Sequence, residues 1–517
     1  MKEVILSTDG YKLGHHRQYP EGTEMVYSNW TPRSCKYFPE AEEGSVVFGL
    51  QYLIKEYLIK QFNKNFFDLP KEQAVGEFYN RVNSFVGIEN VGTKHIEELY
   101  DLGYLPIEIK ALPEGAVCPI RVPWMTIKNT RPEFYWLTNY LETLISCTLW
   151  MPSTSATRSR LYKKELMRHA RDTKYPSDVP LDFACHDFSM RGMAGIEAAI
   201  ISGMAHMTSF CGSETIPAIR ALEEYYNANA STELVAATVP ATEHSVMCAG
   251  GESDEIETFK RLINKVYPTG IVSIVSDTWD FWQVIEKYLP LLKKDIMKRD
   301  GRVVIRPDSG DPVDIICGLR TNPHYHTKIK DGRYYVCYEP WGDSVPYVEI
   351  SKGQYYGAYW MLGEIFGWNK TEAEYMYPDT HIGLLYGDSI TLERQKHIYR
   401  RLESVKCAAC NLVLGVGSFS FQYASRDSLG YAVKATACVV NGEFREIYKH
   451  PKTDDGTKNS LKGLIQVCKD KNGNYYAIDQ ASEEMEREGE LKTVFKDGRL
   501  LVDWSLREIR DRINKSL

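Results

Sequence analysis

The sequence contains no uninterrupted apolar run of the ~18 residues needed to cross a bilayer. Its start, Met1-Lys2-Glu3-Val4-Ile5-Leu6-Ser7-Thr8-Asp9, has too short an apolar stretch for a secretory leader. A soluble, cytoplasmic protein with no membrane partner is expected. Excess positive charge is also missing: 62 Lys and Arg against 69 Asp and Glu leave a net charge of −7. Proteins that hold nucleic acid or anionic membranes usually spread cationic charge over a face, so neither partner is expected. There is no Gly-Lys pair, which excludes a P-loop, and Gly415-Val416-Gly417 continues into Ser418-Phe419 instead of completing a dinucleotide fingerprint. Cysteine is sparse, 12 in 517 residues, and scattered apart from Cys185-His186 and Cys407-Ala-Ala-Cys410. Reduced, mostly buried thiols follow; Cys407 and Cys410 sit in a stretch that reads as helical, with no second ligand pair nearby for zinc.

What is present is an ordinary globular composition, 43% hydrophobic and 25% charged, long enough for two to four domains at roughly 100–200 residues each. A helix is expected over Val47–Gln61 from the spacing of Phe48, Tyr52, Leu53 and Leu58. Thr130-Arg-Pro-Glu133 reads as a capping box before the apolar Phe134–Trp150, and Met151-Pro152-Ser153 as a boundary. The basic residues from Arg158 to Arg171 read as a solvated helix face rather than a polyanion site.

From about residue 180 short apolar runs repeatedly end in small or charged residues. They are Phe183–Phe188, Met207–Cys211, Ala236–Pro240, Ile271–Val275, Val303–Arg306, Ile382–Tyr386 and Leu412–Leu414. Parallel strands buried on both faces read this way, and a βα barrel keeps its chemistry at their C-terminal ends. A doubly wound open sheet is the alternative, because strand order cannot be read from one sequence. The rhythm breaks between Asp308 and Asp388, where a hairpin closing at Asp331-Gly332 marks an insertion near 318–378. The expected organisation is an α+β domain over 1–150, a barrel over 151–424, and 425–517 completing the first domain. Asp-Gly and Asn-Gly turns recur in that last part. One of them, Asp454-Asp455-Gly456-Thr457, lacks the preceding apolar strand of a type I phosphoribosyltransferase motif and reads as a solvated turn.

The strand ends collect Arg191 and Arg306, Asp280, Asp308 and Asp388, and Gly387, Gly415 and Gly417. Arginines and bare amides suit phosphate, whereas carboxylates suit ribose hydroxyls or the waters of a magnesium ion. Any one of these alone also serves as a rim ion pair; together they indicate a barrel enzyme acting on a phosphorylated sugar.

Longer ordered motifs sharpen this. Thr8-Asp9-Gly10-Tyr11-Lys12, Phe48-Gly49-Leu50-Gln51-Tyr52, His186-Asp187-Phe188-Ser-Met-Arg191-Gly192, Glu243-His244-Ser245, Val275-Ser276-Asp277, Ile305-Arg306-Pro307-Asp308-Ser309-Gly310 and Gly387-Asp388 resemble the nicotinamide phosphoribosyltransferases, over almost the whole chain except the insertion. The resemblance implies a type II phosphoribosyltransferase fold, an irregular (β/α) barrel plus an α+β domain built from both chain ends, working as a homodimer with active sites at the subunit interface. The implied reaction takes nicotinamide and phosphoribosyl pyrophosphate, with magnesium, to nicotinamide mononucleotide and pyrophosphate in NAD salvage.

By the same resemblance Phe188 lies under the pyridine ring, Tyr11 of the other subunit covers it, and Arg191 stands beside it. Glu214 takes the carboxamide hydrogen bond in a Gly212-Ser213-Glu214-Thr215 context where the family usually has Asp. A carboxylate there favours nicotinamide over nicotinate, whose own charge it would repel. Asp280, Asp308 and Asp388 are placed around the ribose and magnesium-bound waters, with no direct protein ligand to the metal. Arg306 is placed beside the phosphates, and Ser276 and Gly387 along the same wall. Gly415, Gly417 and Ser418 stand where the family has a longer glycine-rich phosphate loop. Arg33, Arg426 and Lys434 are placed near pyrophosphate, and Lys449 and Lys458 over the entrance. His244 corresponds to a histidine that ATP phosphorylates as an accessory reaction. Expected catalytic residues are therefore His244, Asp280, Arg306 and Asp308. The alternatives are a nicotinate phosphoribosyltransferase, which has no need of an acceptor at Glu214, and a non-catalytic phosphosugar sensor, which could lose Asp280, Asp308 or Arg306.

Overall fold

Val303, Ile305, Ile382, Leu384, Leu412 and Leu414 are almost wholly buried, and they come from strands covered on both faces. In the computed structural model, which describes residues 3–338, 346–387, 389–448 and 461–517, these strands form a six-stranded sheet. Its order is Gly212–Ser213, Cys185–Asp187, Leu412–Val416, Ile382–Tyr386, Gly301–Arg306 and Gly270–Val275. Every pairing in it is parallel. The edges meet through the 237–241 segment, where Ala237 bridges Gly212 and Ala241 bridges Ser273, both parallel. A curled parallel sheet joined by single bridges is the irregular barrel expected, and the open doubly wound alternative falls away. Two of the seven apolar runs are not strands: Met207–Cys211 follows the helix Ile196–His206 as a turn, and Ala236–Pro240 supplies bridges only.

The barrel belongs to a compact unit of residues 161–217 and 234–423. The insertion hairpin is present, His326–Lys330 against Arg333–Cys337, with Asp331 and Gly332 both left-handed as a tight primed turn requires. A third strand, Val348–Ile350, extends it. Cys407 and Cys410 are not in a helix. The helix Leu392–Ser404 ends before them, and burial pushes each thiol up to about 12, the character of inert core cysteines. All 12 cysteines are free, and most are buried.

A second unit comprises residues 1–160, 218–233 and 424–516. Its seven-stranded antiparallel sheet runs Glu443–Glu446, Ala432–Val440, Thr23–Thr31, Met125–Asn129, Ile107–Ala111, Lys492–Lys496 and Arg499–Leu500, so three strands from the N-terminal part of the chain are flanked on each side by two from the C-terminal part. Three sequence readings are corrected here. The Val47–Gln61 helix begins at Leu50 and is π-helical from Leu53. Thr130 does not cap a helix; its hydroxyl donates to Asp497. The helix Glu142–Thr173 continues through Pro152, where a boundary is expected, because the ring packs at Gly49 and the Ser153 hydroxyl donates to the Val46 carbonyl. Its basic face is largely ion-paired, with Lys163 on Asp182 and Arg168 on Glu165, Asp172 and Glu403. Among the described residues no helix is long and apolar enough to cross a membrane.

Candidate active site

Parallel strands bring their C-terminal loops to one end of the barrel, and a cavity of about 330 Å³ opens there. Phe188, His186, Glu214, Thr238 and Arg306 line it, and it extends down the barrel toward Tyr175 and Asn411. Phe188 follows the Cys185–Asp187 strand, its N–H donating to the Val416 carbonyl at 3.0 Å. A Cβ on Gly415 would lie 2.9 Å from the Phe188 ring and 2.7 Å from the Tyr386 carbonyl. Gly415 therefore makes room for the aromatic floor. His186 stacks on Phe188 with centroids 4.7 Å apart and reaches Glu214 Oε1 at 3.2 Å. The Thr238 hydroxyl donates to the same oxygen. The hydrogen bond from His186 holds Glu214 below the usual carboxylate range, against the opposing effect of burial.

Between Phe188 and Glu214 in role, though given no role in the sequence reading, stands Asp187. It is fully buried and accepts from the Ser189 N–H at 2.9 Å, the Ser213 hydroxyl at 3.1 Å and the Thr215 hydroxyl at 2.7 Å. One carboxylate thus ties together the loops that carry the ring and the acceptor.

Arg306 ends the Gly301–Arg306 strand. Burial lowers its pKa from the ordinary guanidinium value, and its Nη2 donates to the Thr242 carbonyl. Among the described residues its buried Nε has no hydrogen-bond partner. Asp308, Asp277, Glu214 and Arg191 all act on it electrostatically. His244 starts a short helix; its Nδ1 lies 3.0 Å from the Thr278 hydroxyl and its Nε2 3.2 Å from Asp308 Oδ1. Asp277 completes this group, with Oδ1 4.0 Å from His244 Nε2. Its Oδ2 accepts from the Asp308 N–H, the Ser309 N–H and the Ser309 hydroxyl, whereas buried Oδ1 makes no hydrogen bond among the described residues. One donor atom from each of His244, Asp277 and Asp308 lies within 4.8 Å of the others. The orphaned carboxylate oxygen and the neighbouring Asp308 are hard ligands of the kind that suit magnesium or its waters.

Asp280, expected near the ribose, accepts at its carboxylate from the Gln283 N–H as the N-cap of the following helix, and Asp277, three residues earlier at the strand end, lies with His244 and Asp308. The Ser276 hydroxyl is buried and donates to the Ile274 carbonyl. Gly387 lies beside Asp308, where an added Cβ would be 3.3 Å from that of the aspartate. Gly417 is the N-cap of the short helix Ser418–Gln422, and Ser418 packs against Gly192. Arg191 is exposed in the turn after Phe188.

Tyr11, Arg33, Arg426 and Lys434 belong to the other unit. There Arg33 donates from Nε to the Gly430 carbonyl at 2.8 Å and feels the charges of Arg426 and Asp427. Tyr11, 66% exposed, lines with Lys12, His15 and Lys434 a second cavity of about 430 Å³. Asp388, Lys449, Lys458 and the Asp454–Thr457 turn lie outside the described residues.

Known proteins point the same way. Residues 183–499 match the nicotinate phosphoribosyltransferase (NAPRTase) family, and residues 3–109 match the N-terminal domain of nicotinamide phosphoribosyltransferase. The chain resembles the solved nicotinate-nucleotide pyrophosphorylase of Pyrococcus furiosus, with a TM-score of 0.55 at 15% identity over 99% of this chain and 95% of that one. It also resembles human nicotinic acid phosphoribosyltransferase, with a TM-score of 0.52 at 14% identity over 98% and 93%. Barrel, strand-end site and these likenesses define the fold as that of the type II phosphoribosyltransferases, and the chain belongs to the nicotinate phosphoribosyltransferase family. Within it, the chain is 45% identical to the nicotinamide phosphoribosyltransferase of Acinetobacter baylyi, over 98% of this chain and 96% of that protein. It is 29% identical to the enzyme of the same name from Xanthomonas campestris, over 99% and 98%.

Proposed function

We propose that this protein transfers the phosphoribosyl group of phosphoribosyl pyrophosphate to nicotinamide, giving nicotinamide mononucleotide and pyrophosphate in cytoplasmic NAD salvage. The observation that carries the choice of base is Glu214, an ionised acceptor on the cavity wall beside Phe188. A carboxamide donates to it, whereas the carboxylate of nicotinate meets like charge in a partly desolvated pocket. The flat ring gains from stacking on Phe188.

In the reaction the ring nitrogen forms a bond to ribose C1 as the bond from C1 to the pyrophosphate oxygen breaks; the electron pair leaves with pyrophosphate. The transition state carries positive charge on the ribose and added negative charge on the leaving group. Asp308 and Asp277 suit the first and Arg306 the second, with Gly387 beside Asp308. Asp277 and Asp308 would hold magnesium, mainly through its waters; when bound it offsets charge on the phosphates. His244, with its Nε2 on Asp308, would accept a phosphoryl group from ATP as an accessory reaction, releasing ADP. A homodimer would supply Tyr11 and Arg33 to the partner's site, with Arg426 and Lys434 near pyrophosphate.

The test offers purified protein phosphoribosyl pyrophosphate and magnesium with either nicotinamide or nicotinate, with and without γ-labelled ATP. Mononucleotide is expected from nicotinamide, with label retained by wild type and not by His244→Ala. Turnover with nicotinate alone overturns the choice of base, turnover with neither overturns the enzyme in favour of a sensor, and equal labelling of both proteins removes the phosphohistidine.

A further inference from the structure

Glu214 poses a problem of aim. The resemblance places an aspartate at this position; glutamate adds a methylene and a further freely turning bond, so an untethered carboxylate would lose entropy on engaging a substrate. The structure supplies two tethers. The Thr238 hydroxyl and His186 Nε2 both reach the same oxygen, Oε1, and among the described residues Oε2 makes no hydrogen bond. The tethers come from different strand ends, Thr238 from the bridging 237–241 segment and His186 from Cys185–Asp187.

His186 is itself fixed on two sides. It stacks on Phe188, and a Cβ on Gly212 would come within 2.6 Å of its Nδ1, so only a glycine lets the ring sit there. With Oε1 as acceptor, Nε2 carries the proton. The imidazole is 9% exposed at its side chain, while Glu214 is 40% exposed and lines the cavity.

We propose that Thr238 and His186 are positioning residues that set the preference for amide over acid, by occupying Oε1 of Glu214 and leaving Oε2 as the single acceptor offered to the base. The inference rests on the reading that the cavity takes nicotinamide. Two donors on Oε1 favour the ionised carboxylate, in line with its lowered pKa, so an acidic substrate finds a fixed negative charge. Released from its tethers, the longer side chain swings aside, weakening the amide contact and relieving the repulsion of nicotinate.

Thr238→Val, nearly isosteric, removes one tether, and His186→Phe keeps the stacking ring while removing the other. Each is expected to raise KM for nicotinamide about tenfold, the worth of a hydrogen bond to a charged group, with kcat changed less than about threefold. The ratio of kcat/KM for nicotinamide over nicotinate falls by a similar factor, KM for phosphoribosyl pyrophosphate stays as in wild type, and Thr238→Ser restores the ratio. A merely structural role moves both bases together, so an unchanged ratio in Thr238→Val and His186→Phe overturns the inference. Wild type is assayed alongside: if it makes no product from nicotinamide, the reading of the substrate has failed; if it does and the ratio is unmoved, only the tethering has failed.

Discussion

Asp277 and Asp280 are separated by one turn of chain yet are held in different ways. Asp277 is buried at the strand end, with one oxygen saturated by three donors of the 308–309 turn and the other bare toward His244. Asp280 is exposed and caps a helix. Asp277→Asn places an amide N–H where either an N–H donor or a cationic partner must sit, and it is expected to lower kcat/KM by about a hundredfold or more. Asp280→Asn keeps a competent cap and leaves kcat/KM within about twofold, while Asp280→Ala lowers stability by about 1 kcal/mol. Steady-state kinetics and denaturant midpoints on the three variants check this; equal loss of activity in both Asn variants would return Asp280 to the site. The residue types and neighbourhood were legible in Val275-Ser276-Asp277, but which aspartate points inward depends on where the strand stops, and strand ends are the least readable part of a sequence.

At the scale of elements, Glu114 shows how a buried carboxyl group serves the backbone. Its carboxylate is fully buried, with Oε1 accepting from the Gln51 N–H at 2.6 Å and Oε2 from the Gly49 N–H at 3.1 Å, at the start of the Leu50 helix. Burial outweighs these bonds and raises its pKa to about 7. Between the ordinary value of about 4.5 and 7 the native state binds a proton that the unfolded chain has lost. The group's contribution is therefore full below about 4.5 and declines as pH rises, by on the order of 3 kcal/mol in all. Urea midpoints of wild type and Glu114→Gln across pH 5 to 8 test it: the wild type is expected to lose stability relative to the variant as pH rises, and parallel curves would refute the assignment. The Asp331-Gly332 hairpin was readable because its signal is local, two left-handed residues between strands. The helix through Pro152 was not, because packing at Gly49 and Val46 overrides the proline.

For the whole molecule, the expectation that Arg33 serves a neighbouring copy has a direct test. Arg33→Ala and Asp277→Asn, each nearly inactive alone, are co-expressed and the hybrid mixture assayed. If sites are shared across a two-fold axis, each hybrid dimer regains one intact site and the random mixture reaches up to about a quarter of wild-type activity. If each site is built from a single chain, the mixture stays as inactive as its parents.

The sequence by itself determined the layers and the chemistry. Five of the seven continuous apolar runs are strands covered on both faces, small and charged residues after them mark the loops, and Arg306, Asp308 and Glu214 carry charges suited to phosphate, ribose and amide. The tertiary structure decided what depends on residues distant in the chain. It settled that the sheet curls and meets itself through Ala237 and Ala241, and that Asp277 rather than Asp280 joins His244 and Asp308. It also brought Thr238 and His186 to one oxygen of Glu214. Periodicity reports how a residue meets its own element, whereas these contacts join strand ends more than twenty residues apart, as Glu214 and Thr238 are (|i−j| = 24), whose meeting is set by the register of the barrel.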